Sequence, residues 1–226
     1  MSPRPILVTG AVGFLGTAIC RRFATSGDRV LALIRPGTTA ARRAALPGSV
    51  ELFECDLVRQ PERLAALLAR LDPAVVVHAA VRDAYAAHDL AATVADNVTA
   101  TANLLAALAA LERRPRLVAL GGSTEYGRAP GPISERTALA PITPRGATKA
   151  AASLLVLAEH AAGRVEAGVL RPFTVYGPGE PAGRLIPAAI RAALTGAELP
   201  FLIRFQWIVR GGGTVCRERG RSRCGW

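Results

Sequence analysis

Apolar residues fall in short continuous runs, separated by stretches of helical spacing. "RPILVT" at 4–9 is a brief β-branched run that ends at a glycine. It predicts a buried strand. "GFLGTAICRRFATSG" then repeats its apolar positions at helical intervals and stops at Gly27. "RVLALIR" and "SVELFECD" predict a second and a third strand. "PERLAALLARLD" predicts a helix with Pro61 in its first turn, where a missing N–H costs nothing. A fourth strand follows at "AVVVHAA", and a long Ala- and Leu-rich helix covers roughly Leu90 to Leu111. "RLVALGG" is the fifth strand. A helix from Thr143 or Pro144 to Ala162 precedes the sixth, "VEAGVLRPF".

Strand and helix alternate, and the strands are apolar throughout rather than on every second residue. That pattern belongs to a parallel sheet covered by helices on both faces. The expected fold is α/β: a Rossmann-like, doubly wound parallel sheet with a truncated C-terminal substrate lobe. The corresponding division is 1–165 for a dinucleotide-binding domain, 166–200 for the last core strand and a partial lobe, and 201–226 for an irregular tail. The tail contains no alanine, both tryptophans, and six arginines against the single acid Glu218. It reads either as a disordered end or as the frameshifted end of a once longer gene.

The 226 residues suffice for a sizeable core. The formal charge of +11 raises the question of nucleic acid. Much of the excess sits in the tail, and no basic helix is interleaved with aromatics, so no nucleic-acid partner is expected. No apolar run is long enough to span a bilayer and no secretory leader is recognised, so no membrane partner is expected either. Cys20, Cys55, Cys216 and Cys224 have neither metal-site nor disulfide-framework spacing. A reduced, cytoplasmic setting and no metal are expected.

The chemistry begins at "VTGAVGFLG". Gly10, Gly13 and Gly16 lie between the first strand and the first helix. In that position they form a dinucleotide fingerprint. Gly10 permits the tight turn, Gly13 lets the backbone approach a pyrophosphate, and Gly16 lets the helix pack on the strand. Free N–H groups at the helix start would hold the phosphates. Arg35 closes the second strand where an acid would bond the ribose of NAD, and offers a guanidinium to a 2′-phosphate. Arg42 and Arg43 lie close behind. NADP is therefore expected, with NAD as the alternative. Asp56, after the third strand, is placed to accept from the adenine amino group.

Seven segments together carry a resemblance: "TGAVGFLG", "CDL", "VVHAA", "NVTATANLLAAL", "GGSTEYG", "GATKAAAS" and "LRPFTVYGPG". With them the chain resembles the extended short-chain dehydrogenase/reductase superfamily, in its nucleotide-sugar epimerase/dehydratase branch. The likeness spans roughly residues 5 to 200. It implies an NAD(P)-dependent oxidoreductase or epimerase acting on a nucleotide-activated (deoxy)sugar, with a 4-ketoreductase preferred because Arg35 favours NADPH. An NDP-sugar is the implied partner, and a homodimer is compatible with the likeness.

The family's site combines a Ser/Thr hydroxyl with a Tyr and a Lys spaced YxxxK, one turn apart on one helical face. The lysine bonds the nicotinamide ribose and lowers the phenol's pKa, and the phenol then moves the proton. Lys149 matches that lysine and is the only lysine in the chain. The tyrosine position is Arg145, which stays protonated and cannot cycle as an acid and base. Tyr126 is a conceivable substitute. The usual hydroxyl position is Gly122, so Ser123 is taken as the hydroxyl, with Thr124 beside it. Thr174 and Tyr176 are implied sugar-nucleotide contacts, and Arg184 a diphosphate contact. Relatives usually run on for roughly another hundred residues. The competing expectation is a non-catalytic dinucleotide-binding protein, or the product of a decayed epimerase gene.

Overall fold

The structure is a computed structural model that describes residues 4–82, 89–129 and 131–197. The tail expected at 201–226 lies outside the described residues. Six parallel strands form one sheet in the order β3-β2-β1-β4-β5-β6. They are β1 (Ile6–Thr9), β2 (Val30–Ile34), β3 (Glu51–Glu54), β4 (Val75–His78), β5 (Arg116–Leu120) and β6 (Glu166–Leu170). Strand order reverses between β1 and β4, the switch point at which open α/β sheets bind ligands.

Residue alternation divides the core into two layers. Leu7, Leu31, Leu33, Val76 and Leu117 pack with Leu64, Leu68, Leu104, Leu108 and Val156. These come from α3 (Pro61–Leu71), α5 (Ala100–Ala109) and α6 (Pro144–Ala161). The intervening Val8, Val30, Ala32, Ile34 and Val77 pack with Cys20 of α1 (Phe14–Thr25) and with Leu46 and Val50. Successive strand side chains point to opposite faces, so a strand buried on both must be apolar at every position. β2 is buried along its whole length.

The ends of the helices follow local chemistry. Pro61 and Pro144 occupy the first turns of α3 and α6. The Thr143 hydroxyl caps α6 by accepting from the Gly146 N–H at 3.0 Å. Asp72 ends α3 in a left-handed conformation, φ 41°, and its carboxylate is bonded by Arg4 and Arg113.

The long helix expected over Leu90 to Leu111 is interrupted. It consists of α4 (Leu90–Val94), a π-turn at Ala95–Thr99, and α5. Hydropathy could not reveal the π-turn, because one wider turn barely disturbs an Ala-rich periodicity. A short helix, α2 (Ala40–Ala44), follows β2 at a place where no element is expected from the sequence.

The chain divides into two compact units, Met1–Gly179 and Glu180–Trp226. β6 pairs with β5 through five residues and thus belongs to the sheet. In the second unit the described structure is α7 (Leu185–Thr195), with Arg184 at its N-cap and Gly196 ending it in a left-handed conformation. α7 also lies where no element is expected.

Candidate functional site: the glycine loop and the start of α6

Gly10 leaves β1 at φ +64°, and a Cβ there would lie 2.6 Å from the Ala80 backbone, in the segment after β4. A Cβ on Gly16 would lie 2.1 Å from the Gly10 carbonyl oxygen. Both positions are glycine because the protein packs against itself there. Gly13 is different. Its Cβ would meet only the Gly10 oxygen, at 3.1 Å, so the chain's own packing makes the weakest demand at the one glycine that faces the helix start. Helix α1 begins there without a side-chain cap and without an acid in its first turn. Undirected N–H groups and a positive helix end suit an anionic diphosphate, so these residues fit a dinucleotide.

Arg35 follows β2, is 59% exposed, and pairs with Asp96 of the π-turn at 3.1 Å. Arg43, in α2, is engaged by Glu54 of β3 and by the Thr38 carbonyl. Asp56 directs one carboxylate oxygen into its own loop, accepting from the N–H groups of Val58 at 2.9 Å and Arg59 at 3.1 Å.

A buried chain of hydrogen bonds runs from β1 to α6. Thr9 Oγ1 lies 2.7 Å from His78 Nδ1, and His78 Nε2 lies 3.1 Å from Thr101 Oγ1. Thr101 donates its hydroxyl proton to the Asn97 carbonyl at 2.7 Å. It must therefore accept from His78, which assigns the proton to Nε2 and makes Nδ1 the acceptor for Thr9. Asn97, in the π-turn, donates through Nδ2 to Thr148 at 3.0 Å, and Thr148 donates to the Arg145 carbonyl at 3.1 Å. Burial pushes the His78 imidazole down to about 3, with the Lys149 charge adding to the effect. His78 is thus a neutral structural link at neutral pH.

Lys149 stands one turn after Arg145 on α6, and its Nζ donates to the Leu120 carbonyl at the end of β5. Burial pushes the ammonium down to about 8; Glu125 pulls it up, and the Arg145 charge pushes it down further. Lys149, His78, Asn97, Thr101, Leu120 and Ser153 line one small cavity. Ser123 opens a 3₁₀ turn, Ser123–Glu125, whose Thr124 carbonyl would be 2.4 Å from a Cβ on Gly146. Gly146 thereby lets this turn sit against the start of α6, which brings Ser123 to the same end of the sheet as Arg145 and Lys149.

Tyr126 is buried at 4% exposure. Its ring stacks on Phe173 at 6.2 Å between centroids, and the Arg171 guanidinium lies 5.5 Å from its centroid. That packing gives Tyr126 a structural place. Thr174 and Tyr176 are exposed beyond β6, and Arg184 belongs to the second unit. The structure adds residues that composition and spacing did not single out: Asp96 and Arg82, His78 and Asn97, and the Glu125–Arg171 pair. Each is an ordinary polar residue within an apolar or loop segment, and only the partner across the fold reveals it.

The sequence pattern of the NAD dependent epimerase/dehydratase family matches residues 6–220. The chain belongs to this family. It is therefore a member of the extended short-chain dehydrogenase/reductase superfamily. It is 35% identical over 187 residues to a dTDP-6-deoxy-L-talose 4-dehydrogenase (NAD(P)+) of Kitasatospora kifunensis, a match covering 82% of this chain and 57% of that protein. It is 32% identical to UDP-glucuronate 4-epimerase 4 of Arabidopsis thaliana, over 76% of this chain and 42% of the other. Among solved structures, the UDP-glucuronic acid 4-epimerase of Bacillus cereus in complex with NAD superposes with a TM-score of 0.75 at 27% identity. That match covers 86% of this chain and 65% of the other. The family member described here thus spans little more than half the length of the talose dehydrogenase. Among its described residues no helix is long and apolar enough to cross a membrane, and no group of His, Cys, Asp and Glu is arranged to hold a metal ion.

Proposed function

We propose that this protein binds a nicotinamide dinucleotide on the Gly10–Gly16 loop and addresses a nucleotide-activated sugar with oxidoreductase or epimerase chemistry, in a form limited by Arg145. The observation that carries the reading is the Lys149–Arg145 pair. The sole lysine of the chain reaches the end of β5 from α6, and the residue one turn before it is a permanent cation. The bound dinucleotide would supply or accept hydride. Gly10, Gly13, Gly16 and the start of α1 would hold its diphosphate, Arg35 would address a 2′-phosphate, and Asp56 would accept from the adenine amino group. Lys149 contributes an ammonium for the nicotinamide ribose.

Ser123 provides a hydroxyl for the sugar, and Arg145 can hydrogen-bond a carbonyl oxygen but not take and return its proton. Thr174 and Tyr176, in the exposed segment after β6, would meet the sugar nucleotide. Within this class a 4-ketoreductase using NADPH is preferred, on the strength of Arg35, and the protein is placed in the cytoplasm. Dinucleotide titration tests the binding half: NADPH should bind, and Lys149→Met should weaken it. Failure of both NADPH and NADH to bind the folded chain would remove the reading.

A second reading, a dinucleotide-binding protein without catalysis, is favoured by the Arg145 charge beside Lys149. A panel of 4-keto-6-deoxy NDP-sugars with NADPH separates the two. Binding with no consumption of NADPH on any sugar supports the second.

A further inference from the structure

Asp96 lies in the π-turn with its side chain only 14% exposed. Its Oδ1 is 3.1 Å from Arg35 Nη2 and its Oδ2 is 3.0 Å from Arg82 Nη1. Arg35 follows β2 and Arg82 follows β4, the two strands that flank β1 in the sheet. One carboxylate thus joins guanidiniums from either side of the strand that leads into Gly10. The backbone is held as well. The Arg82 N–H donates to the side-chain oxygen of buried Asn97 at 2.8 Å. The segment before Arg82 also passes directly beside Gly10, as the approach of Ala80 demonstrates. The three charges therefore stand at the mouth of the glycine loop.

We propose that Asp96 is a specificity-determining residue for the cofactor. It holds Arg35 and Arg82 as a pair and offsets one of their two charges, which moderates the chain's preference for a dinucleotide carrying a 2′-phosphate. The inference rests on the dinucleotide reading of the loop given above. The physical reason is competition. Arg35 is exposed enough to meet a phosphate, but one of its nitrogens already faces a carboxylate. A dianionic group arriving there must share the guanidinium and approach a like charge. Arg82 supplies the second cation, so the cluster carries +1 rather than +2. The diphosphate is common to both nicotinamide dinucleotides, so any effect of Asp96 on it cancels in the ratio of their affinities.

The test is calorimetric titration of the full chain with NADPH and with NADH, for the unmodified protein, Asp96→Asn and Arg35→Asp. Asparagine keeps the shape and one acceptor but removes the charge. Asp96→Asn should shift the affinity ratio towards NADPH by about fivefold at low salt, with the gain shrinking as ionic strength rises. Thermal melting confirms that the variant is folded, and Asp96→Ser serves as a second neutral variant. A ratio left unchanged or lowered by both neutral variants, while Arg35→Asp moves it towards NADH, overturns the role of Asp96 and leaves the reading of Arg35 standing. A ratio insensitive to all three variants overturns both. Absence of any dinucleotide binding overturns the underlying reading as well.

Discussion

Arg171 Nε donates to the carboxylate of Glu125 at 2.6 Å, and that carboxylate has no exposure to solvent. The other Glu125 oxygen accepts from the Gly122 N–H at 2.8 Å. The pair joins the segment after β6 to the turn that carries Ser123, so the position of the candidate hydroxyl depends on a charge pair inside the protein. Removing one partner of such a pair leaves the other charged and desolvated. Arg171→Leu should lower unfolding free energy by about 3–5 kcal/mol, whereas the double change Arg171→Leu with Glu125→Leu should recover much of that loss. Urea denaturation of the three proteins checks this; equal losses in the single and double variants would contradict it.

The glycine loop separates packing from binding. At Gly16 a methyl group collides with the Gly10 carbonyl, whereas at Gly13 the same oxygen is 3.1 Å away. Gly16→Ala should therefore destabilise the fold, by about 1–3 kcal/mol for an overpacked site. Gly13→Ala should melt close to the unmodified protein yet bind NADPH and NADH at least about tenfold more weakly, a cost of about 1.4 kcal/mol. The comparison needs only melting curves and titrations. A Gly13→Ala protein that binds normally would show that no ligand backbone contact is made there.

His78 makes stability depend on acid. Its folded pKa of about 3 lies below the ordinary 6.5 because the ring is buried. As pH falls below 6.5 the unfolded chain takes a proton that the folded one refuses, so stability falls by about 1.4 kcal/mol per pH unit until the folded pKa is reached. Urea midpoints at several values between pH 7 and pH 4 should show this slope, and His78→Gln should flatten it. An unchanged slope in the variant would show that His78 is not the group responsible.

Lys149 permits a direct titration, because it is the only lysine. Biosynthetic ¹³C labelling at lysine Cε should give one side-chain resonance that titrates near pH 8 in the folded protein and near 10.5 after unfolding. Between those values the unfolded chain holds the extra proton, so this group adds stability as pH rises through the window. Arg145→Leu should move the folded midpoint upward, because the Arg145 charge is one of the forces pushing it down. A midpoint near 10.5 in the folded chain would mean that the ammonium is not buried.

The order of strands and helices was legible because the central strands β1, β2 and β4 are buried on both faces and the longer helices bury one face, and both conditions write themselves into hydropathy. The glycine loop was legible for a related reason: Gly10 and Gly16 answer to backbone clashes that only glycine avoids. The π-turn was not legible. It carries Asn97 and Asp96, whose partners lie 51 residues away at Thr148 and on the far side of β1 at Arg35. The helix α2 is too short for periodicity to register. The pairing of Glu125 with Arg171 spans 46 residues and joins two motifs that, taken singly, look like loop sequence.

The central claim is that the dinucleotide site is intact while Arg145 withholds proton transfer. It is tested most directly by NADPH consumption on 4-keto-6-deoxy NDP-sugars, measured side by side for the unmodified chain, Lys149→Met and Arg145→Tyr, with NADPH affinity measured on the same samples. The unmodified chain should bind NADPH but turn over slowly or not at all. Arg145→Tyr, provided that the chain closes a sugar pocket, should be faster by about 10²–10⁴-fold, the usual worth of general acid–base catalysis. Brisk turnover by the unmodified chain, unaffected by Lys149→Met, would contradict the account of both residues.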